Sequence, residues 1–235
     1  MCGVHPWSNI TLKRDTPCRG IARSRVSSRV ARCSGFIIGA PLNSNVMHQA
    51  NLVSNSNRAK SAALVCCHFA RNLAYYNASQ KVLTLDKEGF WLTVAGNFVD
   101  VCVLEWCKLF GNRNGKCHWQ KVLKQPDVFK QDLLNMHHLD ESDLLKLWKT
   151  IKDYRDNFVA HVEDQETTPV PCMTVPYLLV NFYFTRLQSE FAELKSLDCL
   201  PKYMDRYFDS SLSEAEEVLR FNKNKADGNA HANNA

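Results

Sequence analysis

Apolar residues recur at spacings of three and four through most of the chain after about residue 57, which is the period of an amphipathic helix. The first such stretch predicts a helix over about 58–79, and the second predicts one over about 87–110. The second stretch is apolar around most of its circumference, as is typical of a helix at the centre of a bundle. No stretch predicts a strand firmly, so the pattern favours an all-α fold.

Breaks and caps divide the rest of the chain. The polar loop 111–116 ends the second helix, and Pro126 begins another because a missing N–H costs nothing in a first helical turn. We expect Thr174 to cap the last long helix. Two shorter helices are predicted after it, over 202–208 and 213–220.

The most strongly patterned helix begins at the acidic turn after Asp140 and carries a charged residue on its apolar stripe. At 3.6 residues per turn, Trp148 and Ile151 fall close to one line with Arg155. A guanidinium in that position needs a partner, either a buried carboxylate or an anion delivered by a substrate. Glu105 lies on a buried face of the second helix and is the natural carboxylate.

His161 follows Arg155 by six residues. On a continuous helix the two side chains would lie about a third of a turn apart at ~100° per residue. They converge only if the helix ends between them or if a second chain contributes.

The net charge of +5 is unevenly distributed. Residues 1–60 hold nine Lys or Arg against one acid, so the remaining 175 residues sum to −3. The basic character therefore belongs to the leader, and a mildly acidic folded part does not favour a broad RNA groove.

Residues 1–46 are rich in Arg and Ser and lack a sustained period, so we expect disorder. An organellar transit peptide has this composition, as does upstream sequence before a true start at Met47. The second explanation is favoured because the helical pattern begins just after Met47. We expect a helical domain over 58–208, a terminal helix over 209–221 and a disordered tail over 222–235.

The ten cysteines form no CxxC pair. Several lie within apolar helical patterns and are expected to be buried free thiols in a reducing cytoplasm, namely Cys66, Cys67, Cys102 and Cys107. The spacing of Cys107, Cys117 and His118 matches no common zinc site, so no metal and no cofactor are expected. The longest apolar runs, such as 175–184, are too short to span a bilayer, so a soluble protein is predicted.

The segment from Arg155 to His161 resembles the signature of HEPN domains, an Arg followed after four to six residues by a His. Asp156 matches the polar residue that commonly follows the Arg. The upstream segment 105–111, with His118 and Trp119 after it, is similar to the second helix and following loop of HEPN-like proteins allied to bacterial abortive-infection systems. The resemblance covers roughly residues 58–195.

This resemblance implies a bundle of four to five main helices that dimerises, with Arg and His of both subunits lining one cleft. Many such domains are metal-independent ribonucleases, here expected to be of toxin or phage-defence type. His161 would act as general base or acid, and Arg155 would hold the phosphate oxygens. Asp156 or Asn157 would fix the His tautomer or bind the ribose, and Glu105 would orient Arg155.

Two alternatives remain open from the sequence. One is a non-catalytic HEPN module that binds a nucleotide or a protein partner such as a nucleotidyltransferase. The other is a plain helical interaction domain in which Arg155 and Glu105 form a structural ion pair and His161 ends a helix. The leading hypothesis implies RNA as substrate, a second copy of the chain, a possible antitoxin, and a cytoplasmic location.

Overall fold

The computed structural model of the chain describes residues 11–13, 44–83, 89–160 and 167–232, with side chains at 55–81, 90–157, 159 and 169–220. The described part is mostly α-helical, which confirms the all-α prediction at that level. Its α-helices are α1 (Ser44–Leu83), α2 (Gly89–Trp106), α3 (Trp119–Val122), α4 (Pro126–Met136), α5 (Glu141–Tyr154), α6 (Thr174–Glu190) and α7 (Met204–Ala232).

Helix α1 lies at the centre of the packing and contacts α2, α6 and α7. Its buried face is built largely from small residues, which allow the neighbouring backbones to approach closely. These are Ala59, Ala62, Ala63, Ala70, Ala74 and Ala78. Large side chains fill the space opposite them, including Trp106 of α2 and Tyr183 of α6, both fully buried. Full burial of each such aromatic contributes on the order of 1.5–3 kcal/mol relative to exposure.

Two π-helical segments extend two of these helices. Cys107–Gly111 follows α2 directly, and Arg155–Ala160 follows α5 directly. The first segment contacts α5 and the second contacts α2. The indole Nε1 of Trp148 donates to the Gly111 carbonyl at 3.3 Å and joins α5 to the first segment. π-helical turns are rare and often mark functional sites. The two segments therefore indicate a candidate functional site where the C-terminal ends of α2 and α5 meet.

The described residues also include two three-residue strands, β1 (Thr11–Lys13) and β2 (Thr167–Pro169), paired antiparallel with Thr11 opposite Pro169. β1 lies in the leader for which the sequence predicted disorder, and β2 lies in a segment predicted as loop. Thr is favourable in strands, and Pro169 stands at the strand end, where it is tolerated. The rest of the predicted leader, apart from the start of α1, lies outside the described residues.

Two local predictions were wrong. Thr174 is the first residue of α6 and does not cap it, because Met173 is the N-cap and no side-chain cap hydrogen bond is made. The break predicted between two C-terminal helices is absent: α7 runs unbroken through 209–212, where no Gly or Pro interrupts it and Ser211 is buried. The predicted disordered tail, 222–235, overlaps the end of this helix.

One described segment, Phe90–Gly111, is long and apolar enough to cross a membrane by length and composition, with a mean hydropathy of 1.3. Half of that stretch is buried inside the bundle. The core helix of a soluble protein has the same properties, so this segment is weak evidence for a membrane span.

Candidate functional site

Arg155 lies where α5 changes into the second π-helical segment. The capping box at the other end of α5, formed by Asp140 and Asp143, fixes where the helix starts. From that start the stripe turns Ile151 fully inward and brings Arg155 to a partly buried position, with 26% of its side chain exposed. The predicted inward placement of Arg155 is therefore found, although its head group reaches a cavity and not the core.

The partner of Arg155 is its own neighbour. Arg155 Nε and Nη2 both donate to Asp156 Oδ1, at 2.8 and 2.5 Å. The other carboxylate oxygen, Oδ2, accepts from Lys152 Nζ at 2.5 Å. The hydrogen bond from Lys152, together with Arg155, holds the pKa of Asp156 below its ordinary value. Asp156 is thus ionised at neutral pH and fixes the direction of the guanidinium.

Glu105 does not pair with Arg155, so that expectation was wrong. Its side chain is buried, but Oε2 accepts from Lys108 Nζ at 2.8 Å and Oε1 lies 4.0 Å from His68 Nδ1. Lys108 stands one helical turn after Glu105, an i,i+3 spacing that favours such a pair. The role of orienting Arg155 falls to Asp156, and Glu105 positions Lys108 instead.

Arg155 lines a cavity of about 240 Å³ beside the first π-helical segment. Lys108 and Lys116 line the same cavity, and no carboxylate is among the described residues of its wall. The loop after α2 closes one side, where a Cβ on Gly115 would lie only 3.0 Å from the Asn112 carbonyl oxygen. Three cations border this concave space, but Arg155 and Lys108 are also paired, with the Asp156 and Glu105 carboxylates, which lie outside the wall. The space suits an anion with several oxygens, such as a phosphate, that would share these cations with the two carboxylates.

Cys107 also lines this cavity. Burial raises the pKa of its thiol, while the adjacent Arg155 guanidinium acts in the opposite direction. The thiol is therefore protonated at neutral pH and contributes shape and a weak hydrogen bond to the wall, not a negative charge.

A buried hydrogen bond ties α2 to the end of α5. Tyr154 OH donates to Asp100 Oδ1 at 3.0 Å, and both residues are buried. This bond fixes the residue immediately before Arg155 against α2. Sequence reasoning missed Asp100, Lys108 and Lys116, although Asp100 was detectable as a carboxylate inside an apolar helix.

The remaining residues of the predicted site are placed as follows. Asn157 is exposed. His161 lies outside the described residues, which end at Ala160 on this side of the gap. The structure thus brings Arg155 and Asp156 together and separates Glu105 from them.

His118 has a structural role. Its Nε2 lies 3.2 Å from the Phe110 carbonyl and its Nδ1 accepts from the backbone N–H of Gln120 at 3.3 Å, which caps α3. Burial lowers its pKa to about 4, so the ring is neutral and Nε2 donates to Phe110. Both ring nitrogens are therefore engaged in hydrogen bonds within the fold.

The cysteine prediction is confirmed for the four residues named from the sequence. Cys66, Cys67, Cys102 and Cys107 are all buried and free. Within the part of the chain that the structure describes, no three His, Cys, Asp or Glu side chains are grouped to hold a metal ion.

The chain was compared with protein families, curated proteins and solved structures. No protein-family model, no curated protein and no solved structure matches this chain.

Proposed function

We propose that this chain is a HEPN-like, metal-independent endoribonuclease of toxin or phage-defence type that acts in the cytoplasm as a homodimer. The observation that supports it most is the cationic cavity at Arg155. The guanidinium is fixed in direction by Asp156 and faces a space shared with Lys108 and Lys116. Such a space suits the non-bridging oxygens of an RNA phosphate.

In the proposed reaction, His161 of the two subunits supplies both proton transfers. The ribose 2′-oxygen attacks the adjacent phosphorus while His161 accepts the 2′-hydroxyl proton. The bond from phosphorus to the 5′-oxygen breaks, and that oxygen receives a proton from an imidazolium, His161 of the second subunit. The products are a 2′,3′-cyclic phosphate and a 5′-hydroxyl. A histidine with an ordinary pKa near 6.5 suits either proton transfer.

Arg155 supplies charge stabilisation in this scheme. The phosphorane carries more negative charge than the starting phosphodiester, so a guanidinium already aimed at its oxygens stabilises the transition state more than the ground state. Lys108 and Lys116 add positive charge near the same oxygens. Asp156 acts as a positioning residue for Arg155, and Lys152 offsets the negative charge that Asp156 brings.

The test uses the purified full chain and RNA in the presence of EDTA. We expect products with 2′,3′-cyclic phosphate ends. His161→Ala is expected to stop cleavage while its far-ultraviolet circular dichroism spectrum matches that of the unmodified protein. His138→Ala, at an exposed position, is the matched control and should cleave normally. Cleavage that persists in His161→Ala would contradict the assignment of His161 as the catalytic base and acid of a HEPN-like ribonuclease.

The second candidate is a non-catalytic HEPN module that binds a nucleotide or a protein partner. The mildly acidic charge of residues 61–235 favours it, because a small anion needs only the local cations of the cavity and no extended basic surface. Binding of short RNA without product formation would support this candidate. The partner proposed for the toxin-type ribonuclease is an antitoxin, and a nucleotidyltransferase is the example proposed for the binding module.

A further inference from the structure

A second and larger cavity also borders the first π-helical segment. Its volume is about 660 Å³, within the range of about 300–1,000 Å³ typical of small-molecule sites. Three tryptophans, Trp106, Trp119 and Trp148, line it together with Phe110. A ligand can stack only on those of these rings that keep exposed surface.

The ring of Trp148 is the accessible surface among these. Trp106 is fully buried and stacks on Phe110, with ring centroids 5.3 Å apart, and Trp119 is 8% exposed. Trp148 is only partly buried, and its hydrogen bond to Gly111 fixes the indole in one orientation. A ring held in this way loses little conformational freedom when a ligand stacks on it.

The mouth of the cavity carries positive charge. Arg113 is exposed and forms no ion pair with any carboxylate that the structure describes. Lys130 and Glu141 also line the cavity, but they pair with each other at 2.7 Å and offset one another. One guanidinium therefore remains available at the rim, where it suits a phosphate attached to the ligand.

The two cavities share part of their walls. Asn112 lines both of them, and the single turn of π-helix between Cys107 and Gly111 contributes to both walls. A ligand that fills both would present an anionic group at Arg155 and an aromatic group at Trp148. A nucleotide unit of single-stranded RNA has these two parts, joined by a sugar.

We propose that the cavity lined by Trp148 binds a nucleobase of single-stranded RNA, next to the phosphate that Arg155 holds. The inference rests on the proposed RNA substrate but concerns binding and not cleavage. The base stacks on Trp148, and Arg113 contacts a neighbouring phosphate. Stacking on an aromatic side chain is tolerant of base identity, so we expect the site to bind different bases with similar affinity.

The test compares two fluorescently labelled hexamers of equal charge in EDTA, by anisotropy with the full chain. One is a 2′-O-methyl RNA of mixed adenine and uracil, which has no 2′-hydroxyl to attack. The other is the corresponding abasic 2′-O-methyl sugar-phosphate. We expect the hexamer with bases to bind about tenfold more tightly or better, as base stacking predicts.

Variants assign that difference to the cavity. Trp148→Leu should remove most of the difference between the two hexamers. Arg113→Ala should weaken the binding of both hexamers by a similar factor. Because Arg113 is exposed, this substitution leaves the packing of the aromatic side chains unchanged. Arg220→Ala, 78% exposed on α7, is the control and should leave both affinities unchanged.

Three results would overturn the inference. They are equal affinity of the unmodified chain for the two hexamers, an undiminished affinity difference between the hexamers in Trp148→Leu, and no binding of either hexamer. Cleavage of unmodified RNA is scored separately, so the two proposals fail independently. Cleavage without a base effect leaves the ribonuclease and removes the base site. A base effect without cleavage keeps the site and indicates a binding module.

Discussion

Arg155 and Asp156, consecutive in the chain, are joined by two hydrogen bonds onto the same oxygen, from Nε and Nη2 to Oδ1. The pair lies at the first residues of a π-helical segment and at the edge of a cavity lined by two lysines. Asp156 also accepts from Lys152, so its negative charge is partly compensated by a second cation. Arg155 is therefore paired at a partly exposed position and not with a carboxylate in the core.

The stability of Arg155→Ala tests that distinction. Removal of the guanidinium leaves Asp156 with Lys152 and with 33% of its side chain exposed, so we expect a loss of no more than about 1 kcal/mol in the free energy of unfolding. A structural pair with the buried Glu105 would have cost about 3–5 kcal/mol. Urea unfolding measures the difference, with Arg220→Ala as control. A loss of the larger size would show that Arg155 is mainly structural.

Substitutions of Asp156 separate its charge from its positioning role. Asp156→Asn keeps an oxygen for Arg155 but removes a negative charge near the phosphate, so we expect KM for RNA to fall by up to about fivefold, from about 1 kcal/mol between charges 4 Å apart in water. Asp156→Ala also removes the oxygen, and kcat should then fall. Steady-state kinetics with both variants measure the two effects. An unchanged kcat in Asp156→Ala would contradict the positioning role.

The hydrogen bond from Tyr154 to Asp100 should stabilise the end of α5. Because it joins a hydroxyl to a buried carboxylate, Tyr154→Phe is expected to cost about 1.5–3 kcal/mol. Chemical denaturation provides the measurement. Tyr203→Phe, with half of its surface exposed, is the matched control and should be neutral. Equal stabilities of the two variants would show that this bond contributes little.

His118 should make the fold sensitive to mild acid. Its folded pKa, about 4, lies below the ordinary value near 6.5, so between these values the unfolded chain binds a proton that the folded chain does not. Its contribution to stability is fully present above pH 6.5 and decreases as pH falls toward 4, by at most about 1.4 kcal/mol per pH unit.

Urea midpoints at pH 7.5, 6, 5 and 4.5 measure this dependence. Carboxylates such as Asp156 also titrate in acid, so the informative quantity is the difference between the unmodified chain and His118→Ala. We expect the variant to be less stable at pH 7.5 and to lose less stability between pH 6.5 and 4.5. Parallel curves would contradict the assignment of this dependence to His118.

The helical architecture could be predicted because apolar periodicity and end signals are local. The stripe that carries Ile151 also predicted the inward direction of Arg155. The partner was predicted wrongly, since periodicity gives the face of a helix but not the neighbour that meets it. Lys116 could not be foreseen at the cavity because the path of the loop after Gly111 has no period. The pair of Glu105 and Lys108 could have been read from its i,i+3 spacing.

The transition of α5 into a π-helical segment also lay beyond the sequence pattern. A π-helical turn closes each hydrogen bond over five residues instead of four, and the apolar periodicity of α5 does not indicate where that change begins. His161 itself lies outside the described residues, so its role in catalysis stays a prediction from the resemblance.

We expect Arg155 to stabilise the transition state of metal-independent RNA cleavage. The most direct measurement is the single-turnover cleavage rate, in EDTA and at saturating protein, of the unmodified chain and Arg155→Ala on the same RNA. We expect cyclic-phosphate products from the unmodified chain and a rate lower by about 10²-fold or more in the variant, as for loss of a charge-stabilising donor. Equal rates, or no cleavage by the unmodified chain, would contradict it.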